Sequence, residues 1–175
     1  MIIEDLNNQI VEIQDFNSNY IILNFENENY RFDYLEKKEA FLKHRTICKL
    51  KLFSDHPLLI DYNESFLEIY INSKPQDIEF FLENIEGIIH NRVQGFRELK
   101  DYLNKSNLDF ETFLKNINDG NGKFINAPFS VVVEIEKFFI ENNIKFKIFG
   151  EPKKIKNQLL ILDNQYVISR KFNLK

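Results

Sequence analysis

Apolar and polar residues alternate most cleanly between positions 46 and 71. Ile47, Lys49, Lys51 and Phe53 fall on one side of an extended chain and Cys48, Leu50 and Leu52 on the other. Further on, Leu67, Ile69 and Ile71 alternate with Glu68 and Tyr70. A period of two marks a half-buried strand, so strands are predicted over 46–53 and 66–71. The same period covers 30–34 and, more weakly, 10–16, with a largely apolar stretch at 20–25 between them. Asn17, Ser18 and Asn19 and the polar run 26–29 supply turns. These segments predict an antiparallel meander over the front of the chain. Positions 35–44 fit either a short helical connection, through Glu36, Lys37, Lys38, Glu39 and Ala40, or a charged loop.

The period changes near Ser73. Pro75 suits the first turn of a helix, with Ser73 or Lys74 near the cap and Asp77 favourable to the dipole. Ile78, Phe81, Leu82, Ile85 and Ile89 recur at helical spacing. Gly87 and Gly95 weaken that run, each by up to about 1 kcal/mol relative to alanine. A break is expected near Asn91, before a second helix carrying Phe96, Leu99 and Leu103. Ser106 and Asp109 resemble the cap of a third helix, with Phe110, Phe113, Leu114 and Ile117 as its face. Gly120 and Gly122 mark 118–126 as a loop. Pro128 then opens a fourth helix, ending near Asn143, with Val131, Ile135, Phe138 and Phe139 inward. Strands return at 144–148, 155–162 and 166–172, with Asp163-Asn164 as a hairpin turn.

The fold class this pattern predicts is α+β. An N-terminal antiparallel sheet spans roughly 10–72, helices occupy 75–143, and C-terminal strands follow. A chain of 175 residues fits one domain, and its one candidate subdivision separates a β-rich 1–72 from 73–175. The last strands either rejoin the first sheet or form a surface of their own. Charge makes that choice matter. Residues 1–42 carry nine acidic and three basic side chains, and residues 143–175 carry eight basic and two acidic ones. If the strands rejoin, these oppositely charged ends become neighbours.

Composition narrows the function class more than it defines it. A net charge of −4 and a pI near 5.5 do not describe a uniformly basic nucleic-acid surface. Phenylalanine is abundant, at 18 residues against 7 tyrosines and no tryptophan; with the companion excess of Asn, Ile and Lys, this reads as compositional bias rather than an aromatic ligand cage. Cys48 is the only cysteine, so no intrachain disulfide forms, and its strand position predicts a buried thiol. The N-terminal residues lack a signal-peptide pattern and no apolar run approaches the ~20 residues that span a bilayer. A cytoplasmic protein without a membrane partner is expected.

Candidate chemistry centres on Asp55, His56, Asp61 and Glu64, where carboxylates flank an imidazole as acid–base catalysis requires. His90 is a second candidate, joined to His56 only if the fold brings them together. Ser-Asp-His-Pro is also an ordinary turn, and no second His or Cys stands at metal-ligand spacing. The Asn118–Phe124 run resembles the middle of a calcium-binding helix–loop–helix, but aligning Gly122 with the sharp turn puts Ile117 and Pro128 at ligand positions, where neither offers a side-chain oxygen. Neither metal nor cofactor is therefore expected. Lys145, Lys147, Lys153, Lys154, Lys156, Arg170 and Lys171, interleaved with Phe146, Phe149 and Tyr166, form a candidate partner-binding set. The leading expectation is a non-catalytic protein whose partner is another protein, an inhibitor or immunity-type protein being one concrete form. An acid–base or metal-assisted enzyme at His56, and a nucleic-acid-binding module using the basic C-terminal strands, are the alternatives.

Overall fold

In a computed structural model describing residues 2–175, the chain is α+β and forms two compact units, Met1–Tyr62 with Lys156–Lys175, and Asn63–Ile155. The first unit is a closed barrel. Strands β1 (Ile10–Phe16), β2 (Tyr20–Phe25), β3 (Glu28–Phe41) and β4 (Ile47–Phe53) come from the front of the chain, and β8 (Gln158–Leu162) and β9 (Gln165–Leu174) from its end. They close in the order β1-β2-β3-β9-β8-β4, with every neighbouring pair antiparallel. The N-terminal meander is thus not an open sheet. The C-terminal strands rejoin it between β3 and β4, so none of the six is left with an unpaired edge.

Alternation sets what fills the barrel. Val11, Ile13, Ile21, Leu23, Phe32, Cys48, Leu50, Leu160, Leu162, Val167 and Phe172 point inward, and a 3-10 turn, Ile3–Leu6, adds Ile3 and Leu6 to the same core. The turns obey local chemistry. Asn17 Oδ1 accepts from the backbone N–H groups of Asn19 at 2.7 Å and Tyr20 at 3.1 Å. Glu26 and Asn27 both take positive φ in the two-residue β2–β3 turn.

Positions 35–41 are neither helix nor loop; they continue β3 along β9, with a register shift between Lys37 and Glu39. The helix preference of Glu, Lys and Ala amounts to a few tenths of a kcal/mol per residue. It yields to a pairing that satisfies a whole row of backbone groups. The oppositely charged ends meet here, with Lys175 Nζ 2.7 Å from Asp33 and Arg170 3.5 Å from Glu36. On the outside of the barrel, Glu39 accepts hydrogen bonds from the hydroxyls of Tyr62 and Tyr166. This fastens the short helix α1 (Ile60–Asn63) over Leu59, Leu159 and Ile168.

The second unit pairs β5 (Phe66–Ile71) with β6 (Gly122–Pro128) on one side and β7 (Phe146–Phe149) on the other. The strands of this unit depart from two expectations. β5 does not belong to the sheet of β1–β4, because its two edges are taken by β6 and β7 in a separate three-stranded sheet. The segment 122–128 is a strand, not a loop: Gly120, at φ 62, ends the preceding helix and β6 begins two residues later.

Helices α2 (Ile78–Val93), α3 (Leu99–Lys105), α4 (Phe110–Asp119) and α5 (Phe129–Glu141) complete this unit. Their starts are set by caps rather than by prolines alone. Pro75 lies outside α2, whose N-cap is Asp77, its Oδ1 accepting from Phe80 N–H at 3.0 Å. Phe96 lies outside α3, after Gln94 and Gly95 have both taken positive φ. Ser106 is no N-cap; it ends α3, with its Oγ donating to the Tyr102 carbonyl and accepting from Asn126 N–H, both at 2.6 Å. The N-cap of α4 is Asp109, at 2.7 Å from Thr112 N. Helix α5 receives a carboxylate from elsewhere in the unit, with Glu64 Oε2 accepting from Ser130 N–H at 2.7 Å. The core under β6 is aromatic. The Phe124 ring centroid lies 5.6 Å from that of Phe81, 5.2 Å from Phe113 and 5.4 Å from Phe139.

Candidate functional site

The residues singled out in the sequence fall in different places. Asp55, His56 and Asp61 lie in the turn and short helix after β4, in the barrel unit, whereas His90 lies in the last turn of α2, in the other. His56 caps the 3-10 turn Pro57–Leu59, its Nδ1 accepting from Leu58 N–H at 3.1 Å. Accepting at Nδ1 puts the proton of the neutral ring on Nε2. Burial lowers the affinity of His56 for a second proton, partly offset by the charge of Asp55. Glu64 serves the N-terminus of α5. Among the described residues, no group of three or more His, Cys, Asp or Glu could hold a metal ion. Cys48 is buried, and burial pushes its thiol up to about 11, so it stays protonated near neutrality. The basic set also divides. Lys145, Lys147, Lys153 and Lys154 belong to the second unit, and Lys156, Arg170 and Lys171 to the barrel.

A groove of about 740 Å³ lies in the second unit between α2 and the α3–α4 segment. Its apolar lining is Leu99, Leu103, Leu108 and Phe110, and its α2 wall presents Glu83, Glu86, Gly87 and His90. The groove follows from local sequence. Asp109 N-caps α4, and the Thr112 backbone N–H holds its carboxyl below the usual range. The chain therefore turns sharply after α3 and leaves Phe110 at the lip, 52% exposed. The expected burial of Phe110 on the α4 face is not realised; Phe113 and Ile117 are the buried positions.

Gly87 is the unusual residue of this wall. It sits inside a sixteen-residue helix at ordinary helical φ, and a Cβ built on it meets nothing within 4 Å. Among the described residues, no packing partner needs the missing methyl group. We expect Gly87→Ala to stabilise the protein by about 0.5–1 kcal/mol, read as a higher urea midpoint with an unchanged slope. A lowered midpoint would mean that the groove is closed in solution.

Charge adds to the asymmetry. Glu83 and Glu86 are exposed, and among the described residues neither takes part in an ion pair or a side-chain hydrogen bond. On the opposite wall Lys100 is paired with Glu98 at 2.7 Å. The groove thus combines an apolar floor, a strip of bare helix backbone and an acidic edge.

Comparison of the chain with family models, curated proteins and solved structures gives no match. Of the groove's residues, only His90 stood out in the sequence as a candidate for chemistry. Gly87 was legible only as a helix weakness, and Leu99, Leu103 and Phe110 only as helix-face positions. No helix among the described residues is long and apolar enough to cross a membrane.

Proposed function

We propose that this is a non-catalytic protein of the cytoplasm that binds another protein, and that the groove beside Gly87 takes an amphipathic helix of that partner. The observation that carries the reading is Gly87 itself. A mid-helix glycine lowers helix stability, and its natural use at a groove is to let a second backbone approach closely. A helix laid in the groove would set its apolar face on Leu99, Leu103, Leu108 and Phe110 and a small residue against Gly87. A Lys- or Arg-bearing edge would face Glu83 and Glu86. This is helix-in-groove recognition, with apolar anchors for affinity and rim charges for orientation. An inhibitor that captures a helix of its target in this way is one form of the same reading.

A photo-crosslinking residue, benzoylphenylalanine, in place of exposed Asn104 on the α3 wall tests it in the native cell. The expected result is one dominant crosslinked polypeptide, joined through a helical segment with Lys or Arg along one edge. The same substitution at exposed Lys171 on the barrel is the control. Equal crosslinking from both positions would remove the groove as the docking site.

A further inference from the structure

The sheet of the second unit has a second face whose chemistry the groove does not use. Helix α5 packs on β5 and β6, and the inward residues Leu67, Ile69 and Ile71 are buried. The alternate positions of β5, Glu68 and Tyr70, point the other way, with Lys147 and Phe149 beside them on β7. Register fixes the arrangement: Tyr70 stands opposite Lys147 on one side and Lys123 on the other, and Glu68 stands opposite Phe149. Tyr70 and Phe149 meet edge to face, with ring centroids 5.4 Å apart at 85°. Together with Asn72 and Lys147 they line a hollow of about 420 Å³.

Three features of this hollow favour one class of ligand. Phe149 is 52% exposed, so an aromatic face is offered to solvent rather than to a core. Among the described residues no aliphatic side chain lines the hollow, so an apolar peptide side chain would find little there to bury against. The single carboxylate, Glu68, is held by Lys123 at 2.6 Å, which leaves Lys147 as the cation of the lining with no ion pair among the described residues. Lys145 stands one alternation further along the same edge, its carbonyl accepting from Asn72 N–H at 2.7 Å. An exposed ring, flanking ammonium groups and a side-chain amide able both to donate and to accept suit a planar heterocycle carrying an anion.

We propose that this sheet face binds a nucleobase together with its phosphate, the base stacking on Phe149 beside Tyr70, the Asn72 amide meeting the base edge and Lys147 meeting the phosphate. A single strand of nucleic acid and a free nucleotide share that chemistry. The site is separate from the docking groove and does not depend on it.

The test is fluorescence anisotropy of the full chain with short labelled oligo(dT) and oligo(rA), at about 50 mM salt and above. Phe149→Ala is expected to weaken binding between about fivefold and 150-fold, the range for loss of one stacked base. Lys147→Gln is expected to lower the slope of log affinity against log salt by about 0.7, the value for one phosphate contact on a single strand. Competition by the mononucleotides separates the sources. Displacement by a mononucleotide at a concentration similar to that of the oligonucleotide identifies a nucleotide site, and displacement only by longer strands identifies a single-strand site. Both retain the proposal. No binding of either probe, or unchanged binding by both variants, overturns it. Should Phe149→Ala disturb the fold, Lys147→Gln, at an exposed position, decides alone.

Discussion

Phe124→Ala is expected to destabilise the second unit by about 3–5 kcal/mol, the range for emptying a buried phenylalanine site. Phe124 is fully buried, and its ring touches those of Phe81, Phe113 and Phe139. These neighbours come from α2, α4 and α5, so the cavity opens where three helices meet the sheet. Such walls cannot collapse together without moving β6, and the penalty belongs at the upper end of the range. A typical domain has only about 5–15 kcal/mol in hand, so the variant keeps a much smaller margin against unfolding. Denaturant titration followed by circular dichroism reads the effect. A loss below about 1 kcal/mol would contradict the aromatic core, since that is the scale of a surface substitution.

Gly120→Ala is the second large effect, and it has the opposite sign to Gly87→Ala. Gly120 takes φ 62 at the end of α4, and a Cβ there would stand 2.3 Å from the backbone nitrogen of Lys74 and 2.7 Å from the Ser73 carbonyl carbon. Left-handed backbone at alanine costs about 1–2 kcal/mol, and forcing backbone atoms apart adds about 1–3 kcal/mol. A loss of about 2–5 kcal/mol is expected, measured by the shift in urea midpoint. Gly120→Asn separates the two causes. Asparagine tolerates the left-handed region but still carries the Cβ, so it should recover little if the clash dominates.

The sequence announced most elements whose side chains face two different environments. β1, β2, β4 and β5 alternate because one side is buried, and α2, α4 and α5 carry apolar stripes for the same reason. The second half of β3 was not legible. Its residues Glu36–Ala40 point mostly to solvent on a barrel wall, so only their backbone serves the fold, and backbone pairing leaves no mark in composition. β6 was hidden by the glycines and proline at its ends. Closure of the barrel depends on β9 finding β3 across more than a hundred residues, a pairing that local pattern does not encode. The site was less legible still. Gly87, Phe110 and Leu103 become a groove only once Asp109 fixes the turn between α3 and α4. His56, conspicuous in sequence, is occupied as a cap.

If the space beside Gly87 is kept for a partner's helix, filling it abolishes capture of that partner. Gly87→Trp fills that space from within, on a helix where the added side chain meets open groove rather than core. The decisive measurement compares crosslinking from position 104 in the native and Gly87→Trp backgrounds, after thermal melting has shown both to be folded. The crosslinked partner is expected to disappear, or to fall at least tenfold, with Gly87→Trp. Undiminished crosslinking to the same polypeptide in the folded variant would contradict it.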